Sequence, residues 1–101
     1  MARKERIDLI RNKITTAQGS IKHYQKLLSN GQREFDQKKT EVEHLRKKLT
    51  STPDSIQQQE DALLAIDQKN REYEVRILKE KMDIRICEIE INALLSIPKA
   101  S

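Results

Sequence analysis

The side chains best suited to chemistry are few and scattered. Cys87 is the single cysteine among 101 residues, and His23 and His44 lie far apart in the chain. A lone thiol cannot close an internal disulfide, and this spacing assembles no metal-ligand set. A free cysteine is most often a small buried apolar group, which is the simplest reading of Cys87. There is no Gly-rich phosphate loop, no Ser-His-Asp candidate set and no carboxylate sharing a seam with either histidine. The expectation is therefore a non-enzymatic protein with no catalytic residues, no metal site and no cofactor.

Charge is the next candidate for chemistry. Arg3, Lys4, Arg6, Arg11 and Lys13 crowd the start of the chain, and such a cluster can neutralise the phosphates of DNA or RNA without reading sequence. The cluster lacks helpers. Tyr24, Phe35 and Tyr73 all fall on apolar helical seams, which leaves no ring for base stacking, and no helix-turn-helix or zinc-finger spacing is present. A solvated basic terminus is the simpler reading, with nucleic-acid binding as the rival.

The elements that must position these groups are helices. Apolar and charged residues each make up 36% of the chain, aromatics 3%, and there are only two glycines and two prolines, so the apolar side chains must be arranged along extended helical seams. From Ile7 the chain repeats at alternating steps of three and four: Ile7, Ile10, Ile14, Ala17, Ile21, Tyr24, Leu28, Gly31, Phe35, Lys38, Val42, Leu45, Leu49. Every first heptad position from Ile7 to Leu49 is apolar, which points to a coiled coil. The phase survives Gly19 and Gly31, so one continuous helix over about residues 3–50 is expected.

The segment Thr50-Ser51-Thr52-Pro53-Asp54-Ser55 breaks the pattern and carries helix-start signals, with Thr52 as a cap before Pro53, or Asp54 with Gln57 three residues on. A turn at about 51–54 and a second helix over about 55–97 follow. The second seam runs Ile56, Gln59, Leu63, Ile66, Asn70, Tyr73, Ile77, Glu80, Ile84, Cys87, Ile91, Leu94, and Pro98 ends it. Two helices of equal length with so short a connection predict an all-α fold: an antiparallel two-helix coiled-coil hairpin, as a single domain over 1–101. Facing layers are expected where residue numbers sum to 108, since that register makes most layers apolar and sets Lys38 beside Asn70; the alternative sum of 101 opposes Lys38 to Leu63 and Gly31 to Asn70. Assembly of hairpins into a four-helix or larger bundle is the further expectation.

That expectation comes from a second stripe. Val75, Leu78, Met82, Ile86, Ile89 and Ala93 recur at three and four on the side of helix 2 opposite the seam. Contiguous apolar surface on the outside of a two-helix hairpin usually marks an interaction site. Self-association into a dimer of hairpins is the leading reading, a helical protein partner the second, and a chaperone or inhibitor gripping a partner helix a third. Taken together, the residues predict a structural or adaptor protein acting through coiled-coil surfaces.

The remaining arithmetic sets bounds. Residues 1–50 carry 13 basic and 6 acidic groups and residues 51–101 carry 7 and 10, so the halves are +7 and −3. Opposite halves attract each other and suppress wrong pairings. No window is apolar enough for a membrane span, no signal-peptide core follows the N-terminus, and Ala2 and the terminal Pro-Lys-Ala-Ser offer no lipidation motif, so a soluble intracellular protein is expected.

Overall fold

In a computed structural model the described residues are 2–48 and 50–98; Leu49, the last expected seam position of helix 1, lies outside them. Two helices, α1 (Arg3–Lys47) and α2 (Pro53–Ser96), pack against each other as an antiparallel hairpin, with no strand among the described residues. They fall into two compact units: a terminal unit of Met1–Tyr24 with Arg76–Ser101, and a turn unit of Gln25–Val75.

Each helix end has a visible cause. In α1, Glu5 occupies the first turn and His44, Arg46 and Lys47 the last, the arrangement that complements the helix dipole. The backbone then tightens, with the Lys48 N–H donating to the Leu45 carbonyl at 3.2 Å and the Ser51 N–H to the Lys48 carbonyl at 3.3 Å. Thr52 caps α2: its Oγ1 accepts the Ser55 N–H at 3.1 Å, and its carbonyl accepts the Ile56 N–H at 3.1 Å. Pro53 opens the helix where its missing N–H costs nothing. Gln57 does not complete a box with Asp54; it donates instead to Asp61 one turn on, at 2.8 Å.

Burial follows the heptad. Every described seam position from Ile7 to Leu45 on α1 and from Ile56 to Leu94 on α2 is buried or half-buried. In the terminal unit the core is Ile7, Ile10 and Ile91, with Ile14, Cys87 and Leu94 packed around it. Ile10 is the most enclosed large side chain, 1% exposed.

The register differs from the one expected. In the turn unit Gly31 lies against Asn70, numbers that sum to 101, and the terminal core gathers Ile7, Ile10 and Ile14 with Cys87, Ile91 and Leu94, the set that the same rule brings together. Two causes select 101 over 108. The midpoint between Lys47 and Pro53 falls at residue 50, so facing numbers must sum close to 100; a 108 register would centre the turn on Asp54, inside α2. Gly31 also leaves the space that the Asn70 amide fills, since a Cβ there would stand 1.9 Å from Asn70 Oδ1. Lys38 is therefore not the partner of Asn70; its ammonium reaches Glu41 on its own helix at 3.5 Å.

Candidate functional site

The groups singled out for chemistry are not brought together. Cys87 is half-buried in the terminal core. His23 is exposed, its ring edge-on to Tyr24 at 5.4 Å between centroids. Among the described residues no group of three or more His, Cys, Asp or Glu side chains could hold a metal. In the terminal unit an open groove of about 760 Å³ runs beside the helix pair, bordered by Leu9, Ala17, Ser20, Asp83, Ile86 and Cys87.

The basic cluster divides. Arg3 Nη1 donates to the backbone carbonyls of Leu94 at 3.2 Å and Ile97 at 2.6 Å. These are orphan carbonyls at the end of α2, a helix with no basic residue in its own last turn, so α1 supplies the cation that α2 lacks. Arg6 Nη2 is paired with Glu90 Oε1 at 2.6 Å. Lys4, Arg11 and Lys13 remain exposed on α1. Two of the five guanidinium and ammonium groups of the expected phosphate-contacting set are thus committed to holding the ends of the hairpin together.

The apolar stripe is a different matter. In the terminal unit Leu78 (62%), Met82 (65%), Ile86 (59%) and Ile89 (58%) are all more than half exposed, and Ala93 is exposed with them. Val75, the last residue of the turn unit, is 65% exposed. Over the same stretch of α2 the seam residues Ile77, Ile84, Cys87 and Ile91 are buried or half-buried. The seam face of the helix is used, and the face carrying the stripe is open.

Some apolar exposure went unforeseen in the sequence. Leu9, Leu64, Leu95 and Ile97 are also exposed. A signal for one of them was present, because Leu64 precedes Val75, in the same unit, by eleven residues, the period of the stripe; Ile97 lies beyond the end of α2. Arg3 had no sequence signal of its own; its partners are set by the register.

No family model matches the chain, and comparison with curated proteins and with solved structures finds no match. No helix among the described residues is long and apolar enough to cross a membrane.

Proposed function

We propose that this chain is a non-enzymatic structural or adaptor protein that self-associates by docking the outer face of α2 against another copy of the chain. The observation that carries this reading is the open stripe Leu78, Met82, Ile86 and Ile89 on a helix whose opposite face is already packed. Fully covering one side chain of this size contributes about 1.5–3 kcal/mol. Even half of that for each of four aligned side chains gives a useful share of a binding free energy, after the cost of lost rotational and translational freedom. Scattered surface leucines would not align in this way.

The test uses the full chain and two variants, Leu78→Glu and Ile89→Glu. Both positions are exposed, so helical content by circular dichroism should be unchanged. Light scattering should show that the parent chain is larger than one subunit and that each glutamate reduces its size. A folded monomer, indistinguishable among all three proteins, would contradict the reading.

A further inference from the structure

We infer that the hairpin is a two-register device, in which α1 slides one heptad along α2 when the latch at the open end is released. The two units favour different registers, and that opposition carries the inference.

The terminal unit fits the observed register. Ile7, Ile10 and Ile14 are gathered with Cys87, Ile91 and Leu94, and Ile10 is 1% exposed. Arg3 holds the Leu94 and Ile97 carbonyls and Arg6 holds Glu90, so the ends of the two helices are latched.

The turn unit fits it less well. Asn70 is 8% exposed, makes no hydrogen bond among the described residues, and has room only because Gly31 carries no Cβ. A buried amide without a partner is destabilising. The rule that Gly31 and Asn70 obey also opposes Lys38 to Leu63 and Val42 to Gln59, which sets polar side chains against apolar ones. The Lys38 ammonium turns aside to Glu41 on its own helix, at 3.5 Å.

A slide of seven residues, about 10 Å along the axis, keeps every seam residue on the seam. It repairs these layers. Lys38 comes opposite Asn70 and can donate to its Oδ1, Val42 meets Ile66, and Leu45 meets Leu63. The charged edges are spaced for the same step: Lys39 and Arg46 lie one heptad apart on α1, as do Glu60, Asp67 and Glu74 on α2. Arg46 is paired with Glu60, and the slide carries it to Asp67 and carries Lys39 to Glu74. Asp67 is bonded to Arg71 through Oδ2 at 3.1 Å, which leaves Oδ1 for Arg46.

Against the slide stand the latch, the terminal core, which would lose Ile7 and Ile10, and the turn, where Thr52 would give up its cap and residues 53–57 would leave α2. The observed register is therefore the ground state, and opening the latch lets the turn unit draw α1 across. Packed helices with two discrete arrangements one step apart switch in this way.

Register is read by intramolecular disulfide formation in the full chain, in a Cys87→Ala background and in glutathione buffer at low chain concentration. Val42→Cys is combined in turn with Gln59→Cys, its partner in the observed register, with Ile66→Cys, its partner after the slide, and with Gln68→Cys, which lies on the outer face of α2 and is its partner in neither. A disulfide needs Cβ atoms about 4 Å apart, so each pair reports its own arrangement. In the parent the Gln59 pair should close readily, the Ile66 pair slowly, and the Gln68 pair at the background rate of unfolding. Gly31→Ala, which crowds Asn70 only in the observed register, and Arg3→Ala with Arg6→Ala, which open the latch, should each speed the Ile66 pair about tenfold or more. Lys38→Leu should do the reverse: it forms an apolar layer with Leu63, leaves Asn70 unmatched after the slide, and should abolish closure of the Ile66 pair while the Gln59 pair is unaffected. An Ile66 pair that closes no faster than the Gln68 pair in any of these proteins overturns the two-register device, as does one that Lys38→Leu leaves unchanged.

Discussion

Replacing Gly31 by alanine isolates the register from everything else. In a helix interior, alanine is favoured over glycine by about 1 kcal/mol, so a glycine in open space should be improved by the change. Gly19 is such a site: a Cβ there meets nothing within 4 Å. Gly31 is the opposite case, since its Cβ would stand 1.9 Å from Oδ1, 2.9 Å from Cγ and 3.3 Å from Nδ2 of Asn70. The whole amide must leave its place. Asn70 is 8% exposed, so displacing it combines overpacking, about 1–3 kcal/mol, with the loss of a settled position for a buried polar group, about 1–3 kcal/mol. Set against the gain in propensity, Gly31→Ala should lower stability by about 1–5 kcal/mol, while Gly19→Ala should raise it by about 1 kcal/mol. Urea unfolding followed by circular dichroism at fixed protein concentration reads both. Adding Asn70→Ala to Gly31→Ala removes the clash, and the double-mutant cycle should give a coupling above about 1 kcal/mol. If Gly31→Ala stabilises as much as Gly19→Ala, Gly31 does not face Asn70 and the helices are paired in some other register.

The other substitutions sort by what each side chain touches. Ile10→Ala empties the most enclosed site of the terminal core and should cost about 2–4 kcal/mol by the same unfolding assay, whereas Leu64→Ala, at an exposed position, should stay within about 0.5 kcal/mol. Thr52→Ala removes the cap that receives the Ser55 N–H and should cost about 1 kcal/mol, with Thr52→Ser close to the parent. Arg3→Ala leaves the Leu94 and Ile97 carbonyls without their donor; hydrogen exchange should quicken at the end of α2 first, with an overall loss of about 0.5–1 kcal/mol. Glu90→Gln breaks an ion pair whose two members are both well exposed, and its effect on unfolding should remain below about 1 kcal/mol.

The helices and their inner seam were legible because a period of three and four, uninterrupted by proline, has one common solution, and the described seam residues are indeed the less exposed ones. The start of α2 was legible for a local reason: Thr52 before Pro53 is a cap and a first helical position in adjacent residues. The end of α1 was less so, since the heptad continues to Leu49 while the helix stops at Lys47 and the backbone turns under Leu45. The register was less legible, because ranking layers by apolar content alone favours a sum of 108. Ranking of that kind ignores volume, and the decisive layer joins the smallest residue of one seam to a buried amide of the other. The length of the turn carried the same information and would have excluded a centre at Asp54. Arg3 and Arg6 looked like part of a free basic end because their partners, the last carbonyls of α2 and Glu90, are brought opposite them only by the hairpin.

The docking of the outer face of α2 is tested most directly at Met82, which sits in the middle of the stripe at 65% exposure. Its rate of oxidation by peroxide, measured against added free methionine from low to high micromolar chain, reports whether that face is covered. Dilute chain should oxidise rapidly and gain marked protection as the concentration rises, with the protection abolished by Ile89→Glu. Oxidation at one unchanging rapid rate across the whole range would show that nothing covers the stripe and that the docking proposal is wrong.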